Sequence, residues 1–304
     1  MKHVVSVSLG SSKRDHKIVT ELLGEQFEIS RVGTDGDFDR AIELLRELDG
    51  KVDAIGLGGI DVYLVVKEKR YAIKDGLRLM EAVKTTPVVD GSGLKNTLER
   101  EAVRILAREH GLLQKGTRVL LASSVDRFGM AEAMAEMGCN TTFGDLIFAI
   151  GIPLPIHTMR TLKVLATILL PIITQMSFHK IYPTGKKQDT QDEVKVKKYA
   201  QYFLNNQVIA GDFHLIRRYI PDGLQGQIIL TNTTTKSDVE FLKAKGAGTL
   251  ITTTPEYGGR SFGTNVMEAA LVAMLDKPWA EIAPGEYLDL LHKLDFKPRI
   301  VSLQ

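Results

Sequence analysis

The chain has 304 residues, of which 44% are hydrophobic and 25% are charged, so it can form two packed domains and is not a disordered chain. Its 39 basic and 37 acidic residues leave a formal net charge of +2, which argues against a nucleic-acid partner. The single cysteine, Cys139, cannot form an internal disulfide, so we predict a cytoplasmic location. The expected partner is a small, anionic molecule; the oligomeric state is left open, a homo-oligomer included.

Short apolar runs bounded by glycine predict strands, which lie at residues 4–9, 52–57, 87–89, 118–122, 208–213, 227–231 and 249–253. Helical spacing of apolar residues predicts helices, which lie at residues 38–48, 76–83, 94–110, 128–137, 159–176, 236–245 and 265–275. Residues 18–32 and 63–73 are typical of hairpins, so we expect a mixed first sheet. The polar residues 183–198 indicate an exposed excursion. The apolar residues 146–178 contain prolines and basic residues and indicate a buried helix, with no membrane contact.

The alternation of strands and helices predicts an α/β protein with mostly parallel sheets. A Lys-Gly turn after the long helix marks a domain boundary near residue 113. We therefore predict an N-terminal mixed α/β domain over residues 1–112 and a Rossmann-like, doubly wound parallel-sheet domain over residues 113–264. The C-terminal helices in residues 265–304 are expected to pack back on the first domain.

The most informative segment places an acid between a strand and a helix. Asp90 follows the strand at 87–89 and is itself followed by Gly91, Ser92 and Gly93 at the start of the next helix. Ligands of open α/β sheets bind at the carboxyl ends of strands, close to helix N-terminal amides that attract anions. Aspartate and glycine are also ordinary capping and turn residues, so this pattern fits a structural role as well.

With these residues the sequence resembles the shikimate and quinate dehydrogenases, whose substrate domain ends in Asn-Thr-Asp-Gly-x-Gly before a helix. Val88 and Val89 replace Asn-Thr here. The resemblance implies that Asp90 hydrogen-bonds a substrate hydroxyl and shares proton transfer with a lysine. Lys67 is our candidate for that lysine.

Two further segments extend the resemblance. Ser12 and His16 are spaced as in the family's Ser-x-Ser-Pro-x-x-His segment, which implies that they bind a substrate carboxylate. Residues 251–255 are similar to the Asn-Ala-Thr-Pro loop beside the nicotinamide. Asn265 and Glu268 open a helix where the family has Met-Leu-x-x-Gln, and they are expected to bind substrate.

The expected nucleotide loop departs from the family because it lacks the glycine-rich turn. After the strand at 118–122 the chain reads Ser123-Ser124-Val125-Asp126-Arg127-Phe128-Gly129, in which only the last residue is glycine. The two serines can donate hydrogen bonds to phosphate, and Arg127 can clamp it bidentately. Asp126 would repel phosphate unless it caps the helix.

Further polar residues after strands complete the predicted cofactor site. Asp145 follows Ser123 by about the interval at which dinucleotide folds place the acid that binds ribose, which favours NAD over NADP; it fits an N-cap equally well. Thr231, Thr253 and Thr254 each follow a strand and are predicted to face phosphate or ribose. The seven histidines are scattered and there is one cysteine, so no metal site is predicted.

The sequence therefore supports two hypotheses. The first is an oxidoreductase resembling quinate or shikimate dehydrogenase, which would pass hydride between a polyhydroxy cyclic acid and NAD or NADP. The alternative is a non-redox protein, either a ligand-binding sensor or a transferase for a nucleotide or sugar phosphate. The state of the loop from Ser123 to Gly129 discriminates between them.

Overall fold

The computed structural model describes residues 1–66, 69–177, 191–254, 256–257, 260–275 and 277–304, with the backbone alone at residues 256, 257, 260 and 261. The chain forms two units. The first contains Met1–Thr97, Leu169–Lys187 and Gly263–Phe296, and the second contains Leu98–Ile168, Gln188–Phe262 and Lys297–Gln304. The chain first passes between the units at residues 97 and 98, upstream of the division placed near residue 112 from the sequence.

Among the described residues the strands are β1 Lys2–Ser8, β2 His16–Leu22, β3 Glu25–Gly33, β4 Ala54–Gly58, β5 Tyr63–Val66, β6 Lys69–Ala72, β7 Val88–Val89, β8 Arg118–Leu121, β9 Asn140–Phe143, β10 Val208–Ala210, β11 Ile228–Thr231, β12 Thr249–Thr252, β13 Glu256–Tyr257, β14 Arg260–Ser261 and β15 Arg299–Ser302. The α-helices are α1 Phe38–Leu48, α2 Lys74–Met80, α3 Ser92–His110, α4 Phe128–Glu136, α5 Met159–Ile173, α6 Glu193–Leu204, α7 Phe213–Tyr219, α8 Lys236–Lys245, α9 Thr264–Leu275 and α10 Pro284–Lys293.

The first unit is built on a five-stranded sheet in the order β2-β3-β1-β4-β7. Strands β3, β1, β4 and β7 run parallel, whereas β2 pairs antiparallel with β3, which confirms the expected mixed sheet. The second expected hairpin also forms, from β5 and β6. Helix α9 packs against β1 and β4, so an element from late in the chain covers this sheet.

The second unit is built on a six-stranded sheet in the order β15-β12-β11-β10-β8-β9. Strands β8 to β12 run parallel to one another, and only β15, which pairs with β12, is antiparallel. After β8 the chain forms β9 on one side of that strand and later forms β10 on its other side. The space between β8 and β10 is therefore the topological switch point of a doubly wound sheet. The predicted α/β fold class is therefore confirmed.

The structure differs from the predicted elements where polar capping residues decide the boundaries. Within the expected excursion, residues 193–198 belong to α6, whose first turn is capped by the side chain of Asp192 accepting from the amide of Lys195 (3.2 Å). The strand expected at 208–213 ends at Ala210, because Asp212 caps α7. Strands β9 and β15 were not predicted, and helix α10 was expected only as one of the C-terminal helices, without limits. The apolar stretch begins as one π-helical turn, Leu146–Ile150, before α5 starts.

No helix among the described residues is both long and apolar enough to cross a membrane.

The core of the second unit contains an aromatic cluster on which α6 depends. Phe203 is fully buried, and its ring lies 5.5 Å from that of Phe148 in an edge-to-face arrangement. Its neighbour Leu204 is 42% exposed. Phe203→Ala should lower the free energy of unfolding by about 3–5 kcal/mol through lost burial and a cavity, whereas Leu204→Ala should cost less than about 1 kcal/mol. Urea unfolding followed by far-UV circular dichroism measures both, and equal losses would contradict this packing of α6.

Candidate functional site

Asp90 directly follows β7, and its buried carboxylate holds two loops of the first unit together. One oxygen accepts hydrogen bonds from the backbone amides of Val62 (2.6 Å) and Tyr63 (2.9 Å). The other accepts from the amide (3.0 Å) and the hydroxyl (2.6 Å) of Ser92. These four donors satisfy the carboxylate, so Asp90 anchors the start of β5 and the start of α3 to the end of β7.

The glycines after Asp90 allow α9 to approach closely. Gly91 has a φ of +92°, and a Cβ there would lie 2.7 Å from the amide nitrogen of Asn265. A Cβ on Gly93 would overlap the carboxylate of Glu268. Both glycines are thus required by the first turns of α9, in addition to the turn that the sequence predicts.

An ion pair that the sequence analysis missed lies at the same edge of the sheet. Lys95, in the second turn of α3, donates from Nζ to Oδ1 of Asp61 at 2.9 Å. Asp61 follows β4 by three residues, so the two partners come from neighbouring parallel strands, β4 and β7. Their side chains are 10% and 13% exposed. A carboxylate and an ammonium group therefore lie together, almost withdrawn from water, where open α/β sheets bind ligands.

Glu268 is a fully buried carboxyl group on α9. Its Oε1 accepts hydrogen bonds from the hydroxyl of Tyr287 (2.8 Å) and from Nε1 of Trp279 (3.0 Å). Burial, followed by the negative charge of Asp90, raises the pKa of Glu268 to about 7. Burial and Glu268 in turn raise the pKa of Tyr287 above its usual range. Glu268 therefore changes its protonation near neutral pH inside the first unit.

An aromatic stack lies next to these polar groups. The rings of Tyr63 and Trp279 are 5.7 Å apart and nearly parallel, with an interplanar angle of 19°. The guanidinium of Arg70 lies 5.0 Å from the centre of the Trp279 ring. The stack is connected to the polar groups because the Tyr63 amide binds Asp90 and the Trp279 indole binds Glu268. It gives this edge of the sheet a flat apolar surface beside buried charge.

Asn265 lies in the first turn of α9 and bridges the helix to the sheet. Its Nδ2 donates to the hydroxyl of Ser6 on β1 at 2.8 Å. A Cβ on Gly56 of β4 would lie 2.8 Å from the carbonyl oxygen of Asn265, so the helix start rests directly on the strand. The structure thus brings Asp90, Asn265 and Glu268, three of the predicted residues, to one end of the first unit.

Ser12 and His16 make other contacts. The hydroxyl of Ser12 donates to Asp35 at 2.6 Å, and the Ser12 amide donates to the other oxygen of the same carboxylate at 2.9 Å. These bonds lower the pKa of Asp35. His16 Nδ1 lies 3.0 Å from the carbonyl of Arg14. The Ser12 hydroxyl is therefore engaged by a carboxylate of its own chain.

In the second unit, the predicted phosphate loop lies at the switch point between β8 and β10. The hydroxyl of Ser123 accepts a hydrogen bond from the amide of Asp212 at 3.0 Å. The hydroxyl of Ser124 is fully buried and donates to the carbonyl of Leu121 at 3.2 Å. Both hydroxyls thus bind the chain itself.

Arg127 is held by carboxylates of the second unit. It is 2% exposed and forms a buried ion pair with Glu99 on α3 and a longer one with Asp212 (3.3 Å). Its Nε lies 3.7 Å from Asp126. Gly129 is buried in the first turn of α4. Three carboxylates around one guanidinium leave the switch point without the net positive charge that phosphate binding needs.

The carboxylate of Asp145 binds the backbone of this loop. Its carboxylate accepts from the amide of Val125 at 2.9 Å. Burial of its carboxylate raises the pKa of Asp145 to about 6, against the lowering effect of its hydrogen bonds. It stabilises the turn after β8, and its own side chain makes no cap bond to the helical turn that follows.

The three predicted threonines meet at the carboxyl ends of β11 and β12. Thr231 donates from its hydroxyl to the carbonyl of Gly211 (2.8 Å), and Thr254 donates to the carbonyl of Asn232 (2.6 Å). The amide of Thr253 donates to the carbonyl of Thr231 at 2.8 Å. The Thr253 hydroxyl is buried and has no hydrogen-bond partner in the part of the chain that the structure describes.

Lys67, the predicted lysine partner of Asp90, lies outside the described residues. Within the described ranges no group of three or more His, Cys, Asp and Glu side chains is arranged to hold a metal ion.

The polar groups of the first unit that are best placed to meet a ligand are Asp61 and Lys95. Asp61 shares part of the signal that marked Asp90, since both acids closely follow a strand, whereas nothing in the sequence distinguishes Lys95 from a solvated helix residue.

The titration of Glu268 should make the stability of the chain depend on pH. Its pKa is raised from 4.5 to about 7, so between these values the folded chain binds more protons than the unfolded chain. This stabilising contribution is complete below pH 4.5 and is lost as pH rises through 7. At about pH 8 the free energy of unfolding of the wild type should therefore be lower than at acidic pH by about 3 kcal/mol, a decrease that Glu268→Gln should not show.

Melting temperatures at about pH 5 and about pH 8 test this expectation. Asp145 contributes with the same sign in both proteins and cancels from their difference. Glu47→Gln, on the exposed face of α1, is the matched control and should follow the wild type. Parallel pH profiles for wild type and Glu268→Gln would contradict the raised pKa.

Two family models match the chain. One is described as a domain of unknown function, DUF8753, and covers residues 3–90; the other is described as a domain of unknown function, DUF8754, and covers residues 93–303. No curated protein matches the sequence. Neither description names the shikimate and quinate dehydrogenases, so the resemblance drawn from short motifs is without a family match.

Similar solved structures include the arabinose-binding protein AraP from Geobacillus stearothermophilus, at 12% identity and a TM-score of 0.40, with 99% of this chain and 97% of that one covered. The glucose-galactose binding protein GanP from the same organism has 9% identity and a TM-score of 0.37, with 99% and 97% covered. Ornithine carbamoyltransferase from Pyrococcus furiosus has 13% identity and a TM-score of 0.35, with 93% and 86% covered.

The prediction of an oxidoreductase is wrong. None of the solved structures named above is described as a dehydrogenase. In the chain itself, the carboxylate of Asp90 accepts four hydrogen bonds that fix its loop, which is the arrangement of a structural anchor. The larger of the two family models spans most of the sequence, and the chain belongs to the family of the domain of unknown function DUF8754.

Proposed function

We propose that this protein is a non-redox binding protein that holds a small polyhydroxylated ligand at the carboxyl edge of the sheet of the first unit. The observation that carries the proposal is the ion pair between Asp61 and Lys95 at 2.9 Å, with side chains 13% and 10% exposed. We propose a cytoplasmic location as well, on the basis of the single Cys139, whose thiol has its pKa raised by burial to about 11.

The chemistry of the pair suits hydroxyl groups. The Asp61 carboxylate can accept several hydrogen bonds, and the Lys95 ammonium can donate three. A hydroxyl both donates and accepts, so two neighbouring hydroxyls can bind the carboxylate and the ammonium at once. Hydrogen bonds to charged groups are about twice as strong as those between neutral groups, which favours such a ligand over water.

The burial of the pair supports a binding role over a purely structural one. Removing a carboxylate and an ammonium from water costs several kcal/mol per ion, and well-packed apolar residues often stabilise a fold as well or better. A nearly buried ion pair at the edge where α/β sheets bind ligands is therefore better explained by recognition than by stability.

The aromatic stack supplies the second part of a binding surface. Tyr63 and Trp279 are partly exposed and offer a flat apolar face of the kind that lines ligand sites. The ring of a cyclic polyol has an apolar face and a polar rim, which match the stack and the Asp61–Lys95 pair. Arg70 and Lys95 place positive charge at this edge, which also accommodates an anionic substituent.

The second unit is a weaker candidate for an anionic ligand. At its switch point the Arg127 guanidinium is surrounded by Glu99, Asp126 and Asp212. Binding of NAD to the loop from Ser123 to Gly129 stays a prediction from the sequence, and we expect the surrounding carboxylates to weaken it.

A thermal-shift panel of monosaccharides, sugar phosphates, cyclic polyhydroxy acids and NAD tests the proposal, with calorimetric titration of any compound that raises the melting temperature. Asp61→Asn should raise the Kd of such a compound by about 10- to 100-fold, because charge-assisted hydrogen bonds of about 1.5–3 kcal/mol are lost. The double variant Asp61→Asn with Lys95→Gln leaves no unpaired buried charge and should bind equally weakly with little loss of stability.

The matched control is Asp222→Asn, which removes the carboxylate from the 2.7 Å ion pair of Asp222 and Lys245 in the second unit. This variant should keep the wild-type Kd. An unchanged Kd in both Asp61 variants would contradict the proposed function. A panel in which no polyhydroxylated compound raises the melting temperature would contradict it as well.

A further inference from the structure

Helix α5 is apolar on two opposite faces. Its inward face is buried and consists of Leu162, Ala166 and Leu170, at 1%, 3% and 3% exposure. Its outward face consists of Val164, Ile168 and Ile172, at 52%, 59% and 65% exposure, and we call these three residues the α5 stripe. They follow one another at intervals of four residues, so they lie along one side of the helix. A helix with apolar residues on two opposite faces is typically covered on both of them.

Exposed apolar side chains are concentrated around this helix. Of the 13 large hydrophobic residues that are exposed in the described chain, seven lie within residues 150–176. Besides the α5 stripe these are Ile150, Ile152, Leu154 and Met176. Single exposed hydrophobic residues are ordinary, but a concentration of this kind marks an interaction surface.

We infer that the α5 stripe, extended by the exposed side chains just before α5, is the contact between two copies of this chain. Residues 164–177 contain no charged side chain, and the exposed Arg160 lies one turn before Val164, at one end of the stripe. A two-fold axis near Ile168 that sets the two helices antiparallel therefore keeps the two Arg160 side chains apart. Each copy supplies the same patch to the other. An uncharged, aliphatic, self-complementary surface fits this occupant.

The exposed apolar area of two such patches is about the area that a specific dimer buries. The α5 stripe offers roughly 300 Å² per copy, and Ile150, Ile152 and Leu154 offer roughly as much again, so that two copies would bury on the order of 1,000 Å². That value is at the lower limit for specific interfaces, which implies a dimer that dissociates on dilution.

A lipid surface fits this helix less well. Helices that lie on membranes combine an apolar face with a polar face rich in lysine and arginine. The side of α5 opposite the stripe is buried in the protein, and the nearby Lys163 is paired with Glu132 at 2.8 Å. The helix therefore has an exposed Arg160 but no face rich in lysine and arginine that would hold it on an anionic membrane.

Sedimentation velocity of the full chain between about 1 and 100 µM tests the inference through mass action. The wild type should be dimeric at the upper end, and Ile168→Lys should be monomeric throughout because it buries an unpaired charge in the interface. Val194→Lys is the matched control: Val194 is 78% exposed on α6, outside the patch, and this variant should remain dimeric. A monomeric wild type, or a dimeric Ile168→Lys, would overturn the inference.

A cross-link distinguishes this interface from any other. In a Cys139→Ser background, Ile168→Cys should form an intermolecular disulfide on mild oxidation, and Val194→Cys should not. Equal cross-linking at both positions would assign the contact to random collision and refute the α5 interface. Binding of a monomeric wild type to anionic phosphatidylserine vesicles would assign the stripe to lipid and refute it as well.

Discussion

The hydrogen bonds accepted by Asp90 are the interaction on which the candidate site depends. A single carboxylate binds the amides of Val62 and Tyr63, at the start of β5, and the amide and hydroxyl of Ser92, at the start of α3. Asp61 directly precedes the first of these segments, and Lys95 is one turn into the second. Their meeting at 2.9 Å therefore follows from the anchoring of both loops by Asp90. Gly91 and Gly93 then allow α9 to bring Glu268 alongside.

Regular secondary structure was predictable wherever local pattern and environment agree. The parallel strands are short apolar runs, and α1 was predicted at its observed limits because Asp37 caps its first turn and its apolar residues repeat with helical spacing. Helix α6 was missed, since four of its twelve residues are lysine or glutamate and its buried side, Tyr199 and Phe203, is recognisable only from the core it enters. Strand β15 owes its pairing to β12, about fifty residues earlier, which no local pattern reports.

The candidate site was predictable only in part, because burial and pairing are set by tertiary contacts. Asp90 was identified from its place after a strand, but the same reasoning suggested a base, and only the four donors show an anchor. Glu268 was named as a ligand-binding residue, although glutamate is ordinarily exposed and its complete burial is not visible in the sequence. Lys95 was missed because its partner, Asp61, lies 34 residues away.

Both units place a basic side chain next to carboxylates where parallel strands end. The two sites differ in how far the basic side chain is exposed to solvent and in how many carboxylates surround it. In the second unit the Arg127 side chain is 1% exposed and has three acidic neighbours, so its charge is fully used within the protein. In the first unit the Lys95 and Asp61 side chains keep 10% and 13% of their surface in contact with solvent. An ion pair that touches solvent can exchange part of its hydrogen bonding with a ligand, whereas a sealed one must first break the fold around it. The proposed ligand site therefore lies in the first unit, where the ion pair keeps contact with solvent.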